Sequence, residues 1–162
     1  KVSPKAVEIP IESVSLDGSG KALHAFKFTL QEEQDAPVEF GPPAAFLYEP
    51  GPAIMKAGAF KSFATRFGLH KLHPNSQLYT SVELVHHLPA RSFRIEAVCK
   101  YERQALEKLI PEGRANISTR NFPDNTELVR KKLGLRDGGD VYLFATTAQD
   151  GKKLLLVCKK TG

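Results

Sequence analysis

The chain contains few residues that could form disulfides, zinc sites or membrane spans. Its 162 residues include two cysteines, Cys99 and Cys158, which are far apart and lie in predicted strands. This spacing favours buried free thiols over a disulfide framework or a zinc site. The apolar runs are shorter than the roughly 18 residues of a membrane helix, and no signal-peptide pattern opens the chain. We therefore expect a cytoplasmic protein that does not enter the membrane.

The sequence signatures of common catalytic sites are also missing. The sequence contains no GxSxG elbow, no GxxxxGK[ST] phosphate loop and no strand that leads into GxGxxG. The turn of residues 137–140, Asp-Gly-Gly-Asp, resembles an acidic metal loop, but such residues more often end a helix and begin a strand. A metal site that combines His70, His73 and Asp137 is a weaker alternative. We expect that the chain is not an enzyme by itself.

Charge is distributed unevenly along the chain. Residues 1–49 have a net charge of −4 and residues 50–162 a net charge of +9, within an overall +5. A basic part of this kind suits a polyanion, although solvated lysine-rich surfaces are common. The sequence therefore indicates a candidate anion-binding region in the C-terminal two thirds.

The first half predicts a hairpin, a linker and two helices. Residues 7–15 and 22–30 alternate as strands around an Asp-Gly turn. The acidic, proline-rich residues 31–43 predict a linker, and a strand follows at 44–48. Helical spacing of apolar residues predicts one helix from Pro52 to Gly68, and Thr80 with Glu83 predicts a capping box for a short helix.

The second half alternates between strands and helices. Strands are predicted at residues 93–98 and 115–119, each followed by a helix, and a closing hairpin at 141–147 and 153–159. The helices are predicted at 101–110 and from a cap of Asp124 and Glu127 to Gly134. The order predicts an α+β fold of small mixed sheets with helices packed on one face.

Several motifs resemble one bacterial family. They occur in the family's order: Tyr48-Glu49-Pro50, Met55 to Phe60, His73 to Ser76, Leu78 to Ser81, Ala115 to Ser118, Arg120 to Pro123, Leu133-Gly134-Leu135 and Asp137 to Phe144. Together they resemble the C-terminal half of THUMP-like class I S-adenosylmethionine-dependent methyltransferases of the Bacteroidetes type, over about residues 44–160. The resemblance implies a ferredoxin-like segment at 44–88 and a THUMP-like domain at 89–162.

The resemblance also implies parts that this sequence lacks. The glycine loop for S-adenosylmethionine, its acidic ribose partner and the Asn/Asp-Pro-Pro-aromatic catalytic motif are missing. We therefore expect a fragment without a cofactor of its own, whose parent protein binds S-adenosylmethionine in an N-terminal catalytic domain. Residues 1–43, a hairpin and linker, are also compatible with the end of that domain.

The implied partner is RNA, either tRNA or rRNA. Lysine and arginine release counterions on binding phosphate, and asparagine donates to sugar and phosphate oxygens. The candidate RNA-binding residues are Arg114, Asn116, Arg120, Asn121, Arg130, Lys131, Lys132 and Arg136, with a second patch of Lys56, Lys61, Lys71 and His73. The alternative is a structural module that covers the catalytic domain or forms a homodimer, with a merely solvated basic surface.

Overall fold

The N-terminal part of the protein is a β-hairpin, as predicted. The structure, a computed structural model, describes residues 7–162. Strands β1 (Ile11–Leu16) and β2 (Ala22–Phe28) pair antiparallel. The Asp17 carboxylate accepts hydrogen bonds from the main-chain N–H groups of Ser19 and Lys21, which fixes the turn. Residues 1–6, at the start of the predicted N-terminal unit, lie outside the described residues.

The predicted linker of residues 31–43 is wrong in its first part, because it contains helix α1 (Leu30–Asp35). Thr29 and Glu32 form a capping box at its start. The carboxylate of Glu33 accepts from the main-chain N–H groups of Lys61 and Ser62 at 2.7 and 2.8 Å. It thereby caps the helix of residues 60–67, which has no side-chain cap from its own N-cap residue. The acidic residues thus fasten this segment to the fold.

The predicted helix from Pro52 to Gly68 is in fact two helices. They are α2 (Pro52–Ala57) and α3 (Phe60–Phe67), which follow strand β3 (Phe46–Pro50). Gly58 ends α2 with φ of 70°, a left-handed conformation that costs glycine little. The apolar spacing continues across the break because both helices contribute to one core, which includes Ile54 and Phe63.

The short helix predicted from Thr80 onward does not form, and two strands precede its position. They are β4 (His70–His73) and β5 (Ser76–Ser81). Thr80 lies in β5 and caps no helix, so the predicted capping box is wrong. Its hydroxyl donates to the Phe46 carbonyl at 2.7 Å and accepts from the Ala44 N–H at 2.9 Å. The contacts of Thr80 are long-range, so the local spacing of Thr80 and Glu83 led to a wrong prediction.

The remaining elements follow the predicted alternation. They are β6 (Ala90–Lys100), α4 (Arg103–Glu107), β7 (Asn116–Arg120), α5 (Thr126–Leu133), β8 (Val141–Thr147) and β9 (Lys153–Lys160). Helix α4 is shorter than the predicted 101–110. Asn125, not Asp124, is the N-cap of α5, and its side chain accepts from the Leu128 N–H. Gly134 ends α5 as predicted.

One seven-stranded sheet unites the two halves. Its order is β4-β5-β3-β6-β9-β8-β7, and only β7 and β8 are parallel. The long strand β6 pairs with β3 through its first half and with β9 through its second. The α+β fold is confirmed, and the segments predicted to be ferredoxin-like and THUMP-like share a single sheet.

Helices cover one face of this sheet. One core cluster packs hairpin residues, α2 and α3 against Tyr48 and Tyr79. A second packs α4 and α5 against Leu143 and Leu155. Strand register places the two clusters on the same face, so the predicted packing of helices on one face holds.

The other face, here called the inner face, curls on itself. Its core is built from strand residues alone: Leu47, Leu72, Leu78, Phe93, Phe144, Leu156 and Cys158. Strands β5 and β7 contact each other although four strands separate them in the sheet order. Cys158 is buried here and Cys99 is half-buried elsewhere, both as the predicted free thiols. No helix in residues 7–162 is both long and apolar enough for a membrane span.

Candidate nucleic-acid interface

Helix α5 carries the basic cluster that the sequence singles out. Val129 and Leu133 are buried in the second core cluster, which orients the helix. Arg130, Lys131 and Lys132 lie in its last turn, where cations interact favourably with the carbonyl end of the helix. Their position in the last turn therefore has a structural reason.

Two of these three cations have acidic partners. The Arg130 guanidinium lies 3.4 Å from the Asp137 carboxylate. Lys132 Nζ lies 2.8 Å from Asp124, which also accepts from the Tyr101 hydroxyl at 3.0 Å. The hydrogen bond from Lys132 lowers the pKa of Asp124, and burial raises the pKa of Tyr101 to about 12. Because each of these two cations is paired with a carboxylate, each attracts an external anion less strongly.

Three exposed cations around β7 and α5 have no acidic partner among the described residues. We call Arg114, Lys131 and Arg136 the start group. The backbones of Arg114 and Arg136 form a short parallel bridge, and the Ala115 N–H donates to the Arg136 carbonyl at 3.0 Å. Arg136 also donates to the Glu112 carbonyl at 3.2 Å. This bridge holds two guanidinium side chains near each other on the surface.

Asn116 supports the turn beside this group. Its amide donates to the carbonyls of Gly139 and Val141 at 2.8 and 3.2 Å. Gly138 and Gly139 have φ of 98° and 81°, so the Asp-Gly-Gly-Asp segment is a glycine-dependent turn. Its polar contacts lie within the fold, and the part of the chain described holds no cluster of three metal-ligating side chains.

The other end of β7 is tied into the fold. Arg120 lies 2.9 Å from Glu49 on β3, and Arg91 lies 2.6 Å from the same carboxylate. The Glu49 side chain is 12% exposed. Arg120 does not align an N–H on the Glu49 oxygen, so their contact is an ion pair and not a hydrogen bond. This shared carboxylate joins the edge strand β7 to β3 and β6 in the middle of the sheet.

Asn121 and His73 complete this closure. The Asn121 amide lies 3.0 Å from His73 Nδ1, and the Thr147 hydroxyl donates to the Asn121 carbonyl at 2.6 Å. Asn121 has φ of 52°, a conformation that asparagine tolerates better than most residues. We call Arg120, Asn121 and His73 the closure group.

The predicted basic residues therefore separate into two groups along β7. Arg114 and Arg120 are six residues apart along an extended segment, or about 20 Å at roughly 3.3 Å per residue. Arg114 and Arg136 of the start group lie at the beginning of β7, and the closure group lies at its end. Their roles in RNA binding stay predictions that have to be separated group by group.

The second predicted patch divides in the same way. Lys56 and Lys61 are exposed. Lys71 is 4% exposed, and its ammonium donates to the Pro74 carbonyl at 3.2 Å and lies 5.9 Å from the rings of Phe60 and Tyr79. Burial lowers the pKa of Lys71. A charge count along the sequence cannot distinguish this inward lysine from its exposed neighbours.

The histidines of the weaker metal hypothesis have separate partners. His70 Nε2 lies 2.9 Å from Glu39, while His73 Nδ1 accepts from the Asn75 N–H at 2.9 Å. Asp137 is engaged with Arg130 instead. The structure brings these three residues to different neighbours.

Sequence reasoning missed Glu49 and Glu33. Glu49 stands alone in an apolar strand, and its two arginine partners are remote in sequence, so no local pattern identifies it. Glu33 follows a readable capping box, Thr29 to Glu32, which could have revealed α1. Its contact with α3 depends on the tertiary fold.

Comparison with known proteins defines the two domains. Residues 46–89 match the family model of a ferredoxin-like domain, and residues 90–160 match that of a domain like THUMP. The chain therefore has a ferredoxin-like domain followed by a THUMP-like domain, as the resemblance implied. The boundary between the two models falls at the start of β6, the strand that both halves share.

A solved structure shares the whole arrangement. It is the crystal structure of a candidate methyltransferase from Porphyromonas gingivalis W83, with 38% sequence identity and a TM-score of 0.85. The match covers 94% of this chain and 38% of that chain. The chain thus spans well under half of the length of the protein it resembles. No curated protein matches it.

Proposed function

We propose that this chain is the RNA-binding, substrate-positioning part of an S-adenosylmethionine-dependent RNA methyltransferase. The observation that carries the proposal is the THUMP-like domain at residues 90–160. The likeness to a candidate methyltransferase supports the reaction class. Methyl transfer itself is proposed for a longer protein that contains this chain.

The residues present do not fit the cofactor. S-adenosylmethionine sites of the class that the sequence resembles use a glycine-rich loop between a strand and a following helix. Here the Gly138-Gly139 pair lies between helix α5 and strand β8, so the helix comes before the strand. The Gly139 carbonyl already accepts a hydrogen bond from the Asn116 amide. We therefore assign no residue of this chain to S-adenosylmethionine and place its chemistry in another domain.

The start group suits a phosphate backbone. Arg114 and Arg136 are exposed, close in the fold and without carboxylate partners among residues 7–162. Arginine presents a planar fork of donors that matches phosphate oxygens, and RNA helices are read largely through shape and backbone. Lys131 adds a third cation from α5.

Charge reversal tests this proposal. We expect Arg114→Glu with Arg136→Glu to weaken binding of a tRNA or rRNA fragment by about tenfold or more and to flatten its salt dependence, because each lost phosphate contact removes about 0.7–0.9 from the logarithmic salt slope. The measurement is a filter-binding titration between low and physiological salt.

The matched control reverses two hairpin lysines, Lys21→Glu with Lys27→Glu, which changes net charge equally. We expect this pair to retain most of the affinity. If both double variants lose the same RNA affinity, the effect comes from overall charge and not from the start group. If the unaltered chain shows no salt-dependent RNA binding, the proposal is refuted.

A second candidate function is a docking module, which one observation favours. The outward side of the β1–β2 hairpin exposes Val14, Leu16 and Leu23 to 40, 59 and 57%. A two-stranded sheet also leaves both edges open. We propose the N-terminal methyltransferase domain as its partner, with a homodimer as the alternative. Light scattering of Leu16→Glu with Leu23→Glu distinguishes them, since only a homodimer of this chain would dissociate.

A further inference from the structure

A cleft of about 480 Å³ opens beside the closure group. Pro42 and Pro43 form one wall, and the turn between β8 and β9, with Gln149 and Lys152, forms the other. Leu72, Leu154 and Thr146 also line it. Its volume lies in the range of small-molecule sites, which are mostly apolar with a few polar groups.

Both walls are fixed by main-chain hydrogen bonds. The Gly41 N–H donates to the Lys71 carbonyl at 3.1 Å, which holds the proline segment against β4. On the other side, the Ala148 N–H donates to the Lys152 carbonyl at 2.8 Å, which closes the turn. The cleft is therefore preformed, and a ligand that enters it orders little additional chain.

An unpaired hydroxyl lies among the residues that line this cleft. Thr146 is 0% exposed, and its hydroxyl has no hydrogen-bond partner in residues 7–162. The equally enclosed Thr80 hydroxyl has two partners. Buried polar groups are normally paired. Ser13 and Ser76 also lack partners, but neither lines this apolar cleft.

We propose that this cleft receives a single unstacked nucleobase of an RNA strand, an inference that rests on the proposed RNA-binding function. A base has two apolar faces and a polar edge. The prolines and leucines cover the faces, while Thr146 and the Gln149 amide meet the edge. Lys100, which lies opposite Leu154 on β6, supplies a cation for an adjoining phosphate, whereas Lys152 at the rim is paired with Asp150 at 3.6 Å.

The charges favour RNA over an apolar peptide or a lipid tail. Residues 50–162 carry a net +9, which attracts a polyanion and gives no advantage to an uncharged ligand. Sequence-specific RNA recognition commonly uses bases that leave the stack and enter protein pockets. The cleft adds to the start group a contact with a base rather than with the backbone.

The test uses nucleosides, which have no phosphate, and a short single-stranded RNA. Backbone amide resonances of residues 148–152 report nucleoside binding, and a filter assay reports RNA binding. Leu154→Trp fills the cleft. Val98→Trp is its control, because Val98 is 45% exposed on the neighbouring strand β6 and does not line the cleft.

We expect nucleosides to shift these amides in the unaltered chain and in Val98→Trp but not in Leu154→Trp. RNA affinity should fall about tenfold in Leu154→Trp alone, the scale of losing one stacked base. Thr146→Val should weaken nucleoside binding without lowering the unfolding temperature, and Thr146→Ser should retain it. This pattern separates a contact with the base from a packing defect.

Other results overturn the inference. If RNA binds but nucleosides do not, and filling the cleft changes nothing, the cleft is no base site and the proposed RNA-binding function stands. If nucleosides bind but no RNA does, the proposed function fails and the cleft is a site for free nucleosides. If a proline-rich peptide shifts the amides and nucleosides do not, the occupant is a protein segment.

Discussion

The two ends of strand β7 carry the same kinds of side chain but bind different partners. At the start, Arg114 and Arg136 are exposed, and the Arg136 guanidinium donates to the Glu112 carbonyl. At the end, Arg120 is ion-paired with Glu49, and Asn121 contacts His73 and Thr147. The difference teaches that the acidic partner, and not the basic residue, decides whether a cation is free to meet an external anion.

The largest effect on stability is expected at Glu49. Glu49→Leu leaves Arg91 and Arg120 without their shared carboxylate and loosens the closure of the curled sheet. We expect a loss of about 2 kcal/mol, less than for a fully buried pair because both arginines are partly exposed. Chemical denaturation measures it.

The control is Glu12→Leu, which removes an exposed pair with Lys27 at 3.9 Å and should cost about 0.5 kcal/mol or less. RNA affinity should change little in either variant. A Glu49 variant as stable as the control would contradict the role given to the closure group.

Asn116 is the first residue of β7, and its substitution tests whether it stabilises the fold or contacts RNA. Asn116→Ala removes two hydrogen bonds that hold the Gly138-Gly139 turn. We expect it to destabilise the protein by about 1 kcal/mol and lower the unfolding temperature by about 2–4 °C. Gln104→Ala, at an exposed position of α4, should have no such effect. A strong loss of RNA affinity with unchanged stability would instead make Asn116 a direct RNA contact.

Two adjacent lysines on α5 give the smallest and sharpest contrast. Lys132 lowers the pKa of Asp124, so the stability from this pair is present above the ordinary carboxyl value, about pH 3.8, and is lost as pH falls through the lowered value. We expect the difference in unfolding temperature between the unaltered chain and Lys132→Met to shrink on acidification below that value.

Lys131→Met is the matched variant, because Lys131 has no carboxylate partner within residues 7–162. Its effect on unfolding temperature should not depend on pH over this range, while its effect on RNA affinity should exceed that of Lys132→Met. Identical behaviour of the two lysines in both assays would remove the distinction between paired and unpaired cations.

Local signals in the sequence identified much of the fold. The hairpins followed from Asp-Gly turns, and the end of α5 followed from Gly134. The break at Gly58 was hidden because the apolar spacing continues across it. The role of Thr80 was hidden because its partners, Phe46 and Ala44, come from another segment.

The candidate site was predictable only as a set of residue types. Arg114 and Arg120 look alike in the sequence, and the contact that separates them is made by Glu49, far away along the chain. Lys71 was likewise predicted as part of the second basic patch but is 4% exposed. Availability to a ligand depends on tertiary contacts, which a single sequence does not display.

The most direct test compares Arg114→Glu with Arg136→Glu against Arg120→Gln with Asn121→Ala, measuring RNA affinity and unfolding temperature for each. We predict that the first pair loses about tenfold or more in affinity at nearly unchanged unfolding temperature. The second pair should unfold at lower temperature and retain most of its affinity where folded. The reverse pattern, with RNA affinity lost only at the closure group, would contradict the account.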